Sequence, residues 1–175
     1  MQVKTFFSYN PKHRRLYKQI LDLLCPINDT YPEYDKWFNE RFIAGLKKKE
    51  RMYIIAQSDD NALAGCVLIK KTPAEKKICT FYIHPEFRKN GLGKQLMEQA
   101  LKQLGECPLI TVSGQNLPQL LPLLKECGFH LSAVKKGVYN SQNTEYYFND
   151  KKSDTIKNSL IPLLIHRMNQ LRQRG

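Results

Sequence analysis

The chain has 175 residues, 42% of them hydrophobic and 10% aromatic, with a formal net charge of +12. That length suits one hydrophobic core and is short for two, and the apolar content excludes wholesale disorder. The charge favours an anionic partner without choosing among a phosphorylated cofactor, a nucleic acid, an acidic protein and a membrane surface.

In chain order, "VKTFFSY" (3–9) predicts a first strand, closed by Asn10-Pro11. Pro11 can open a helix in which Leu16, Ile20, Leu23 and Leu24 recur at helical spacing, ended by Cys25-Pro26. A second helix is expected from near Pro32 to the basic run 47–49, burying Trp37, Phe38 and Ile43, with Phe42 as a further candidate. "MYIIAQSDDNALAGCVLIK" reads as two strands around a turn, and "KICTFYIHP" as another strand, giving at least four by residue 84. From 91 to 104, Leu92, Leu96, Ala100 and Leu104 share one face of an amphipathic helix that Gly105 ends. "PLITVS" is apolar throughout, as a buried strand is; Leu117 to Cys127 predicts a short helix begun or bent by Pro118 and Pro122. Two last strands, around "HLSAVKKGVY" and "TEYYFN", flank the turn "NSQN". Strands outnumber helices and are interrupted irregularly, so a mixed sheet with packed helices fits better than a doubly wound fold.

Residues 151–175 carry six basic side chains against Asp154 and a helical apolar face from Ile156 to Leu171. A helix docked on the domain or buried in a homodimer is the plain expectation; a membrane-surface or nucleic-acid arm and a mobile tail are the alternatives. No apolar run is long enough to span a bilayer, and the amino terminus lacks the apolar stretch of a secretion signal. The five cysteines (25, 66, 79, 107 and 127) show neither a disulfide framework nor zinc-site spacing, so they are expected to stay reduced in a cytoplasm, and no metal is expected.

The informative stretch is "FYIHPEFRKNGLGKQL" (81–96), a strand, a basic elbow and a helix entered through two glycines. A Walker loop fails because Gln95 follows Gly93-Lys94 and Arg88 stands where the first glycine belongs; a dinucleotide fingerprint fails at Leu96. What remains is a helix mouth whose unpaired amides and partial positive charge suit a phosphate. Its backbone is accessible at Gly91 and Gly93, and Arg88, Lys89 and Lys94 surround it. An ordinary Asn90-Gly91 turn is the competing reading.

"RKNGLG" in this register resembles the Arg/Gln-x-x-Gly-x-Gly/Ala signature of the GCN5-related N-acetyltransferase (GNAT) superfamily. "LLKECGF" and "YNSQNTEYYFN" resemble its later helix end and last hairpin, so the likeness covers about 3–149. It implies an α/β (α+β) fold: a GNAT domain over 1–149, with a mostly antiparallel sheet of six to seven strands flanked by helices, then a basic helical extension over 150–175. It also implies acetyl-CoA as cosubstrate and transfer of acetyl to an amine-bearing acceptor. The diphosphate would meet the amides around Lys89, Asn90, Gly91, Leu92, Gly93 and Lys94, beside Arg88. The pantetheine arm would follow Tyr82 and Ile83, where that strand splays from "LITVS", with an amide near Ile83 facing the thioester carbonyl.

The catalytic groups are less legible. The strand "KKICTFY" carries no acid, Glu75 and Glu86 lie outside it, and Leu124 occupies the position where the family often has a donor tyrosine. Asn116 is one residue away from an asparagine frequent in relatives. Tyr139 and Tyr147 are the candidate proton donors, with Tyr146, Cys79, Tyr82 and His84 behind them. His13, His130 and His166 have weaker claims. Residues 26–50 occupy the acceptor region of relatives; Asp29, Glu33, Asp35 and Glu40 with Tyr31, Tyr34 and Trp37 could receive a cationic amine, or form a solvated face anchored by Trp37. The departures leave two other readings, a non-catalytic acyl-CoA-binding module and a basic nucleic-acid binder.

Overall fold

The computed structural model describes residues 1–105 and 107–151, which fall into two compact units, Met1–Pro108 and a second beginning at Leu109. The helical extension expected beyond Asp150 lies outside the described residues except for Lys151. No helix among those described is long and apolar enough to cross a membrane.

Four strands build the first unit's sheet: β1 (Gln2–Phe6), β2 (Arg51–Gln57), β3 (Leu63–Lys71) and β4 (Lys76–Ile83), each antiparallel to the next. β1 is shorter than the expected 3–9, since Phe7 is exposed and Tyr9 N–H donates to Leu46 O (3.2 Å) instead of to a strand. The β2–β3 hairpin closes with Ser58 N–H on Ala62 O (3.0 Å), as the polar turn foretold.

One sheet face buries Tyr53, Ile55, Cys66 and Leu68 under α1 (Arg14–Leu24), which contributes Tyr17, Ile20 and Leu24. Cys25-Pro26 does not stop this helical path; it tightens into a 3-10 segment, Cys25–Asp29. The same face is covered by α2 (Tyr34–Trp37), a π-helical segment Phe38–Phe42, and α3 (Ile43–Lys47). Here the expectation needs correcting. Phe38, Phe42 and Leu46 are fully buried, whereas Trp37 and Ile43 are only half-buried. On the opposite face, α4 (Leu92–Leu104) packs Leu92, Leu96, Met97, Ala100 and Leu104 against the strands.

β3 and β4 change register between Leu68 and Ile69: Leu68 faces Thr80 but Ile69 faces Ile78, so Cys79 is an extra residue, a β-bulge. Downstream of it Thr80 turns toward α2, where its hydroxyl and that of Tyr34 lie 2.6 Å apart, both buried. Tyr34→Phe is expected to cost about 1–2 kcal/mol because it strands the Thr80 hydroxyl. Adding Thr80→Val should recover part of that loss in urea denaturation.

The second unit holds β5 (Leu109–Ser113), α5 (Leu117–Glu126), β6 (Leu131–Lys136) and β7 (Thr144–Phe148). β7 pairs antiparallel with both β5 and β6. Pro118 stands in the first turn of α5, where a missing N–H costs nothing, and Pro122 lies inside the helix.

Candidate functional site

The elbow after β4 is built from local bonds. His84 N–H donates to Ala64 O (2.9 Å), which ends the strand pairing, and Pro85–Phe87 forms a single 3-10 turn. Lys89 (φ 64°) and Gly91 (φ 84°) then take left-handed conformations, reversing the chain into α4. The helix ladder begins with Gln95 N–H on Gly91 O (3.1 Å), so the amides ahead of it emerge at the helix end. Asn90 Oδ1 accepts from one of them, Leu92 N–H, at 3.3 Å. A Cβ placed on Gly91 would meet nothing within 4 Å, so no neighbouring side chain covers the backbone at that point of the helix mouth, which suits the approach of an anion.

The side chains around the mouth divide in two. Lys89, Asn90 and Lys94 are exposed, while Leu92 is buried and Gly93 half-buried as the second residue of α4. Arg88 folds back: its Nε donates to Ile83 O (3.0 Å) and its guanidinium lies 5.8 Å from the centre of the Tyr82 ring. It braces the strand end as well as adding charge. Nδ1 of His84 is 3.5 Å from Glu86, and its ring packs by Phe87, a local elbow contact.

A second constellation in this unit was not visible in the sequence. Arg51 opens β2 half-buried, with its guanidinium 5.5 Å from the Trp37 ring centre and 5.9 Å from that of Phe42. Its Nη1 donates to Cys79 Sγ at 3.3 Å. Burial pushes the Cys79 thiol above its ordinary value, partly offset by Arg51 and Lys77, so the group stays a thiol at neutral pH. The four contacting residues are scattered from 37 to 79, and Arg51 itself sits beside the lysine run, where a solvated charge is the simpler sequence reading.

The acids proposed for the acceptor region are exposed: Asp35 Oδ1 accepts from Asn28 Nδ2 (3.1 Å) and Glu33 lies 3.4 Å from Lys36. Tyr34 belongs to the core instead, its phenol raised well above the usual range by burial despite the Thr80 hydrogen bond. His13 is a packing residue, with Nδ1 3.1 Å from Tyr53 Oη and its ring edge-on to Phe6.

In the second unit, Tyr139 is half exposed in the β6–β7 connection, and Tyr147 is buried on β7 with Lys135 Nζ 4.6 Å from its ring centre. The Tyr147 phenol is raised by burial first and then by Tyr139, Glu145 and Asp150, which keeps its proton on. Leu124 is fully buried in α5, so the position where relatives often carry a tyrosine is here part of the core.

A sequence profile of the acetyltransferase (GNAT) family matches residues 10–129. No curated protein is recognisably similar in sequence. Among solved structures, a protein from Desulfovibrio desulfuricans assigned to the GNAT family superposes with a TM-score of 0.62 at 16% identity, over 84% of this chain and 97% of that one. An aminoglycoside 6'-N-acetyltransferase complexed with coenzyme A gives 0.59 at 15% identity, over 85% and 95%. A protein from Bacillus anthracis in complex with acetyl coenzyme A gives 0.51 at 23% identity, over 63% and 69%. Identities this low establish the fold alone, and the fold agrees with the matched profile and with the elbow: the chain belongs to the acetyltransferase (GNAT) family.

Proposed function

We propose that the protein transfers the acetyl group of acetyl-CoA to a primary amine by direct attack. The observation that carries this reading is the open helix mouth at Gly91, where main-chain donors can reach a diphosphate without a side chain in the way. Family membership and the coenzyme A and acetyl coenzyme A bound by two structural relatives support it.

In that reaction the neutral amine nitrogen attacks the thioester carbonyl carbon. An amide N–H near Ile83 stabilises the oxyanion, the carbon–sulfur bond breaks, and the departing thiolate takes up a proton as the nitrogen loses one. β4 supplies no carboxylate, so proximity and an amine already unprotonated carry much of the rate, with Tyr139 and Tyr147 as donors to the thiolate. The wide spacing of the five cysteines suits a reducing compartment, and we place the protein in the cytoplasm.

Calorimetry with acetyl-CoA and with CoA is the primary test, and sub-millimolar binding of both is expected. Absence of binding by either ligand would remove the proposal. Thiol release in the presence of an amine panel then reports turnover, and loss of rate in Tyr147→Phe or Tyr139→Phe identifies the donor.

A further inference from the structure

We infer that the acceptor amine also carries a carboxylate, and that Arg51 receives it; this rests on the acetyl-transfer reading above. Arg51 is held as a recognition residue is held. Trp37 and Phe42 flank its guanidinium, Cys79 Sγ takes one N–H, and Gly45 leaves it room. A Cβ at position 45 would lie 2.5 Å from Arg51 Cδ and 2.7 Å from Nε, so a larger residue there would force the arginine side chain to shift.

The guanidinium is nevertheless under-used. It carries five N–H donors, and among the described residues the one hydrogen bond it makes goes to sulfur, a weak acceptor. No described carboxylate forms an ion pair with it. A planar carboxylate is the group that a half-buried, pre-oriented guanidinium binds best, through two parallel hydrogen bonds.

The surroundings favour the same chemistry. The strand registers place Arg51 beside Lys70, Lys70 beside Lys77, and Lys71 beside Lys76. With Lys47, Lys48 and Lys49 before β2, this end of the first unit gathers eight basic residues against Glu50 and Glu75. Such a field attracts anions and opposes an acceptor that is only cationic.

Its place along β4 also fits. From Cys79 the strand runs four residues to Ile83 and the elbow, about 13 Å at the rise of an extended strand. With the thioester carbonyl facing the amide near Ile83, an acceptor held by Arg51 carries its carboxylate at up to that distance from the amine that attacks.

The test uses the full chain and matched probes whose amine stands well away from the carboxylate: L-lysine against cadaverine, 6-aminohexanoate against hexylamine. A carboxyl-amidated peptide with an amino-terminal glutamate separates a peptide source of the carboxylate from a free amino acid. Thiol release should favour the carboxylated member of each pair by about 10- to 100-fold in kcat/KM, the scale of a charge-assisted hydrogen bond. Arg51→Gln should bring that ratio close to one with acetyl-CoA affinity unchanged, and Arg51→Lys should restore part of it. Equal turnover of paired probes, or a preference that survives Arg51→Gln, would overturn the inference. Should neither set be acetylated, the fluorescence of Trp37, the chain's one tryptophan, decides. A saturable change with millimolar 6-aminohexanoate in the wild type and none in Arg51→Gln supports the site, and no change in the wild type refutes it. Gly45→Ala, which displaces Arg51 without removing it, is the second variant if Arg51→Gln fails to fold. Loss of acetyl-CoA binding by the wild type would instead strike at the transfer reaction itself, so the two failures are told apart.

Discussion

Gly91→Asp is expected to lower acetyl-CoA affinity by about 100-fold or more while leaving the fold intact. Two effects combine. Position 91 has φ 84°, which costs a residue with a Cβ roughly 1–2 kcal/mol, although aspartate tolerates it better than most. The larger effect is the new carboxylate in the open space where the diphosphate would lie; like charges about 4 Å apart repel by ~4 kcal/mol at an effective dielectric of 20. α4 supplies its own control. Gly105 at the other end has φ 73° and equally open surroundings, so Gly105→Asp should cost about 1 kcal/mol of stability and leave ligand affinity alone. Calorimetry and urea melts of the two variants separate strain from charge. Equal acetyl-CoA affinity in both would mean that the helix mouth holds no phosphate.

The largest stability effect is expected at Phe42. Its ring is fully buried, stacked on Phe38 at 5.2 Å and close to Trp37 at 5.9 Å. Phe42→Ala should destabilise the protein by about 3–5 kcal/mol through lost burial and the cavity left behind. That is a large share of the roughly 5–15 kcal/mol typical of whole domains. Trp37→Ala, at a half-buried position, should cost clearly less. Equilibrium urea denaturation by circular dichroism measures both, and a larger loss at Trp37 would show that the aromatic hierarchy drawn here is inverted.

That hierarchy is also where the sequence was hardest to read. Hydrophobicity and not spacing marks Trp37, Phe38 and Ile43, with Phe42 as a further candidate, since Trp37 and Ile43 fall on different sides of a helix. Phe38, Phe42 and Leu46 stand at i, i+4 and i+8, on one helical face, and these are the residues buried. By contrast α4 was plain, because its apolar stripe is regular and glycine stands at both ends. The elbow was legible for a related reason: its chemistry is main-chain chemistry, written locally in Gly91 and its neighbours. Arg51 was hidden because its role depends on Trp37, Phe42, Gly45 and Cys79, which meet only after helix and sheet have packed. Leu124 could be seen as a departure from the family, but only its complete burial shows that the position belongs to the core.

The irregularity at Cys79 changes how β4 counts. Ile78 and Thr80 are both even-numbered, yet the register sets them on opposite faces of the sheet. The strand therefore has two phases, and Cys79 is the splice between them. A chain lacking that single residue would keep Tyr82 and Ile83 on their present sides and merely straighten. Removing any residue between Thr80 and Ile83 would instead transpose inside and outside all the way to the elbow. Length variation in this strand is thus tolerable at one address, and that address is the thiol that Arg51 touches.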